Sequence, residues 1–223
     1  INTMKKTNIL IAFAVVTGLA FTSCNETKEK NEEVGVAAEA EENAVAYNAD
    51  TAKSVINWSG NKPTGTHTGT ISLANGEIMV NDRNIEAGTF TIDMKSIVVT
   101  DLEAGDGKEN LEAHLMGTVE GKEGDFFNVT EYPTATFEIT SIEGDQYKPT
   151  VKGNLTIKGK TNPVSFNATV SYPGDTMFLK SEKFKIDRTK WDVNYGSKSV
   201  FDNLGDKFIS DDMELQIELH ASK

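Results

Sequence analysis

Cysteine is almost absent. The chain of 223 residues holds one, Cys24, so no intramolecular disulfide can staple the fold and stability must come from core packing. Histidine is nearly as scarce, with only His67, His114 and His220, and no His-x-x-x-His or Cys–His spacing marks a metal site. A Gly-x-Ser-x-Gly elbow is also missing, and spacing alone does not pair the many carboxylates for acid–base work. Asp101, Asp106 and Glu109 read as a solvated loop before they read as a weak calcium site. Neither catalysis nor a cofactor is expected. Basic residues are outnumbered, 22 Lys and Arg against 34 Asp and Glu, for a formal net charge of −12. Such an acidic surface repels phosphates and excludes nucleic acid as a partner. Long apolar runs are lacking too. Ile9–Phe21 is too short to cross a hydrocarbon core of about 30 Å as a helix.

That run has a different explanation. Met4-Lys5-Lys6 supplies a short cationic start, the apolar stretch follows, and Phe21-Thr22-Ser23-Cys24 closes it with small residues. This is the layout of an export signal, and its ending resembles a bacterial lipobox, in which the cysteine is lipidated and becomes the new N-terminus. Residues 1–23 are therefore expected to be a lipoprotein signal peptide, and Cys24 a lipidation site tying the protein to a membrane. The expected address is the periplasm or outer membrane of a Gram-negative cell. Removing Lys5 and Lys6 with the signal lowers the formal charge by two, from −12 to −14, which leaves the lipid, not a basic patch, as the attachment. Residues 24–46 are rich in Glu, Lys, Ala and Asn without an aromatic and are expected to form a disordered acidic tether.

From Tyr47 to Lys223 the pattern becomes period two. Val164, Phe166, Ala168, Val170 and Tyr172 alternate with polar residues, as do Met213, Leu215, Ile217 and Leu219, and Ala135, Phe137 and Ile139. Successive side chains on a strand face opposite sides, so each segment has a dry and a wet face. Val55–Gly60, Thr66–Leu73, Ile85–Met94, Lys148–Ile157 and Phe178–Asp187 read as further strands. Asn75-Gly76, Gly144-Asp145, Lys158-Gly159-Lys160 and Pro173-Gly174-Asp175 read as turns. Lys108–Met116 departs from this alternation. Leu111 and Leu115 are spaced i, i+4, Asp106 and Glu109 are placed like a capping box, and Gly117 follows. This predicts a short helix over an opening or edge of the sheet, then a glycine-rich loop.

With these elements placed, the chain resembles the YceI family of exported lipocalin-like proteins. The resemblance rests on Val55-Ile56-Asn57-Trp58 followed by His67-Thr68-Gly69, then on Leu111–Leu115 and on Asp125-Phe126-Phe127-Asn128-Val129 through Tyr132–Phe137. It continues through Val151–Gly159 and Ile186-Asp187-Arg188. Two stretches depart from the family pattern, the longer loop Met116–Gly124 and the insertion from Asn194 to Asp212. The resemblance implies an all-β fold, an eight-stranded antiparallel lipocalin-like barrel with one short helix, holding a polyisoprenoid or fatty-acid-like lipid. A barrel of about eight strands is either filled by its own side chains or holds one small ligand, and periodicity does not choose between these.

The expected inward, ligand-binding set is Phe137, Ile139, Leu155, Ile157, Phe166, Ala168, Val170, Phe184 and Ile186. His67, His114 and Arg188 are candidate head-group contacts, although Arg188 fits better as a structural residue that stacks on Trp191 or pairs with a carboxylate. Trp58 and Trp191 are expected to plug barrel ends. The leading expectation is a membrane-tethered lipid carrier or scavenger, not an enzyme. Its rival is a filled barrel that binds a partner protein through the 195–212 loop, which carries Phe201, Leu204 and Phe208. A homodimer is left open.

Overall fold

The computed structural model describes residues 33–223. Cys24 and the signal-like segment lie outside the described residues. Among those described, ten strands run in the order β1 (Val45–Ala49), β2 (Val55–Lys62), β3 (Gly65–Asn81), β4 (Asn84–Val99), β5 (Thr134–Asp145), β6 (Lys148–Ile157), β7 (Lys160–Ser171), β8 (Thr176–Ser181), β9 (Phe184–Asp187) and β10 (Asp212–Ser222), with helix α1 (Lys108–Met116) between β4 and β5. All pairings are antiparallel. β3 to β8 pair in sequence, β10 pairs with β8 and β9 on one edge and with β1 and β2 on the other, and β1 and β2 both pair with β3. β1 with β2, and β8 with β9, thus act as two interrupted staves. The result is a closed ring of eight staves, which leaves no free sheet edge.

The alternation behaves as period two requires. On β7, Val164, Phe166, Ala168 and Val170 are buried and the residues between them are exposed or half-buried. On β6, Val151, Gly153, Leu155 and Ile157 face the core. The two ends of the ring are built differently. One end carries the tight turns Asp82-Arg83, Gln146-Tyr147 and Pro173–Asp175, and the other carries α1 and the long irregular segments.

Three local expectations change. Asn75-Gly76 is not a turn: β3 runs straight through it with a bulge between Leu73 and Asn75. Glycine is needed there for space, since a Cβ at Gly76 would lie 2.4 Å from the Phe90 ring. The real turn is Asp82-Arg83, both at positive φ (47° and 68°), as a two-residue hairpin of matching twist demands. The single strand expected over Phe178–Asp187 is two, broken at Glu182-Lys183. The helix spans the expected residues, but no side chain caps its start. Gly107 is the N-cap, and Glu109 reaches back to the Gly105 N–H. Gly117 ends it at φ 69°, donating to the Ala113 and His114 carbonyls.

Hydrogen-bonded structure also begins earlier than Tyr47. The amide of Asn154 is held on both sides by Gly35, accepting from its N–H at 3.1 Å and donating to its carbonyl at 2.7 Å. Ala38 N–H donates to the Ile139 carbonyl at 2.8 Å, and Glu41 N–H to the Glu86 carboxylate. The segment then enters β1. This strap explains why Asn154, which points away from the lumen, is only 6% exposed.

Candidate functional site

Two cavities lie one above the other within the ring. The deeper one, about 80 Å³, is walled by apolar residues alone, among them Ile56, Leu73, Phe137, Leu155, Phe166, Phe184 and Leu215. Phe166 stacks on Phe184 with centroids 4.8 Å apart and tilts against Phe137 at 5.8 Å. The larger one, about 260 Å³, sits at the α1 end. Trp58, Ile71 and Met213 continue the barrel wall into it, Leu111 and Leu115 of α1 cover it, and Phe126 and Phe127 enter from the loop that follows. On β2, β3 and β10 the cavity residues change hands at consecutive inward positions: Ile56 to Trp58, Leu73 to Ile71, Leu215 to Met213. The ring of Trp58 can lie across β3 only because position 69 is glycine, where a Cβ would meet it at 2.4 Å.

Among the nine expected inward residues, Phe137, Ile139, Leu155, Phe166 and Phe184 wall the deeper cavity. Ile157, Ala168, Val170 and Ile186 are buried in the core without lining either one. The three candidate polar contacts come together, all on the larger cavity. His67 on β3 sets Nδ1 2.8 Å from Asp101, and His114 on α1 sets Nε2 2.7 Å from Asp125. Asp101 also accepts the Thr68 N–H at 2.8 Å. Partial burial raises its pKa, but the Thr68 amide and the His67 imidazole outweigh that and hold the carboxyl below its ordinary value. The His114 ring meets Phe126 and Tyr195 edge-on, at 5.0 and 4.8 Å.

Arg188 is a tie for the rim. It is 3% exposed and donates to the carbonyls of Val193, Ile209 (3.1 Å) and Ser210 (2.9 Å), with Asp211 at 3.8 Å. Burial pushes its pKa down, while Asp211 and Asp187 oppose the shift. It therefore pins the segment Val193–Asp211, from which Tyr195, Ile209 and Ser210 line the larger cavity. Trp191 donates from Nε1 to the Leu155 carbonyl at 2.9 Å and is fully buried. Val200 and Phe201 of the same segment stay about half exposed.

Residues absent from the expected site set form most of the larger cavity, among them Ile71, Ile97, Leu111, Leu115, Phe126, Phe127 and Met213. The adjacent aromatics Phe126-Phe127 in an otherwise polar, glycine-rich loop were the available signal, since both are buried. No group of three or more metal-ligating side chains occurs among the described residues.

A model of the YceI-like domain matches residues 47–221. The UPF0312 protein of Pseudomonas aeruginosa (strain LESB58) is 33% identical over 89 residues, covering 40% of this chain and 47% of that protein. Protein YceI of Shigella flexneri matches with the same identity and coverage. The chain thus spans about half the length of these curated relatives. Among solved structures, Burkholderia cenocepacia BcnA superposes with a TM-score of 0.59 at 24% identity, covering 78% of this chain and 99% of that one. A polyisoprenoid binding domain from Saccharophagus degradans superposes with a TM-score of 0.55 at 13% identity, covering 79% and 97%. These two likenesses establish the barrel fold.

Proposed function

The chain belongs to the YceI-like family, and on that premise we propose that it is a binding protein that holds one long apolar ligand, isoprenoid or fatty-acyl in character, along the barrel axis. The observation that carries the reading is the pair of stacked cavities. The deeper wall has no polar residue, and a void of this kind stays dry and takes up apolar molecules. The larger cavity lies at the α1 end and adds polar side chains to its lining, among them His67, His114 and Ser210. A chain threaded from mouth to depth would be driven by burial at about 25 cal/mol per Å² of apolar surface. The polyisoprenoid-binding neighbour from Saccharophagus degradans supports the same ligand class.

Cys24 gives the proposal a location. Acylated, it would hold the barrel beside the membrane that supplies or receives the cargo. Because Gly35 is pinned to Asn154, ten residues separate the cysteine from the barrel wall. Even fully extended they reach at most about 40 Å, so the domain would work close to its membrane as carrier, store or scavenger.

Native mass spectrometry and organic extraction of the purified protein test the binding. A co-purifying lipid is expected; absence of lipid together with no uptake of an apolar fluorescent probe refutes it. Mass analysis of membrane-extracted protein tests the anchor, and an unmodified soluble N-terminus removes it. The second reading, a protein-binding module, draws on the exposed Val200 and Phe201. It requires that alanine at both positions abolish a partner's capture while lipid binding is untouched.

A further inference from the structure

We infer that the barrel mouth selects a ligand ending in an uncharged hydroxyl, an alcohol or phenol, over one ending in phosphate or carboxylate, with His67 and His114 as accepting groups. The inference rests on the lipid-binding reading and adds the chemistry of the ligand's polar end.

The first argument is the supply of cations. An anionic head group needs N–H donors that are not already committed. Arg188, the guanidinium on this cavity, commits three of its five N–H groups to main-chain carbonyls of the rim, and the side chain is 3% exposed. Lys62 is the other cation of the wall, and it is exposed at the end of β2. Over the mouth lies the segment 101–125, which carries α1 and has eight carboxylates against two lysines. That field disfavours a diphosphate.

The second argument is the orientation of the imidazoles. A carboxylate only accepts, so Asp101 requires the proton of His67 on Nδ1, and Asp125 requires that of His114 on Nε2. In the neutral rings, the nitrogen left over is then a lone pair: Nε2 on His67 and Nδ1 on His114. Both rings line the cavity, so each brings an acceptor to it. The complement of such a nitrogen is an O–H donor. A hydroxyl donates its one proton to one of these nitrogens, whereas an ether or ester has none to donate.

The test uses the intact chain with a bound apolar fluorophore, displaced in turn by geranylgeraniol, its methyl ether and geranylgeranyl diphosphate. The alcohol is expected to bind about tenfold tighter than the ether, the worth of one buried hydrogen bond, and at least as far ahead of the diphosphate. The double variant His67→Phe with His114→Phe should close the alcohol–ether gap while keeping probe affinity. The inference is overturned if the diphosphate binds as tightly as the alcohol, or if alcohol and ether are equal on the unaltered protein. It is also overturned if the gap persists in the variant. The comparison on unaltered protein decides even if the variant fails to fold. If none of the three displaces the probe and no lipid co-purifies, it is the lipid-binding reading that fails.

Discussion

Leu215 stands where the two cavities meet. It walls the deeper one; Met213, the preceding inward residue of β10, walls the larger, and the cross-strand partners Trp58 and Phe184 belong to one cavity each. Leu215→Trp places a bulky ring in that passage and should close the deeper cavity to a ligand. The penalty follows from its size. A void of about 80 Å³, at roughly 24 cal/mol per Å³ of unfilled volume, is worth about 2 kcal/mol to whatever fills it. That is roughly 25- to 30-fold in Kd. Stability should change less, because overpacking costs about 1–3 kcal/mol and filling the void offsets part of it. Titration of a chain-length series, C10, C15 and C20 alcohols, reads the effect directly. In the unaltered barrel affinity should rise through the series, and in Leu215→Trp the rise should stop early with the shortest ligand unaffected. A variant that melts normally yet binds the C20 chain within threefold of the original refutes the threading argument.

Other outcomes follow from the same geometry. Arg188→Lys should lose about 2–4 kcal/mol, because one ammonium cannot serve the Val193, Ile209 and Ser210 carbonyls in their fixed planar arrangement; urea denaturation measures it, and a loss under about 0.5 kcal/mol contradicts the role. Asn154→Ala removes both bonds to Gly35, and limited proteolysis should then cut between residues 35 and 44 well before the barrel opens; an unchanged cleavage pattern argues against pinning. Asp101 has a depressed pKa, so its carboxylate contributes stability that is present above the unfolded-state pKa and lost as pH falls through the folded one. Acid titration below about pH 4 should weaken the His67 corner, and Asp101→Asn should flatten that part of the pH–stability curve.

Much of the scaffold was legible because strands and helices announce themselves locally. Val164–Val170 and Met213–Leu219 show their inward faces in the bare alternation, and Lys108–Met116 its spacing and terminal glycine. Local signals failed where the cause was distant. Asn75-Gly76 has the composition of a turn, but its glycine serves the ring of Phe90, a residue on another strand. The strap 35–44 has the composition of a free linker, yet it lies against the barrel through main-chain groups and one amide of β6, which no pattern of side-chain hydropathy records.

For the site, the sequence by itself determined the character of the walls: enough inward apolar residues for a dry lumen, and a shortage of cations and cysteines that excludes many other roles. Cys24 remains a statement of sequence alone. Only the tertiary structure decided that the lumen holds space, because a void is what remains after every side chain has taken its place, and periodicity gives direction without reach. It also decided that His67, His114 and Arg188, up to 121 positions apart in the chain, share one cavity. There it separated their roles, since the partners of each side chain come from elements that fold onto it from far along the sequence. Arg188 is held by carbonyls and the two histidines by carboxylates, so three residues that read as one set of candidate contacts in sequence have different partners in space.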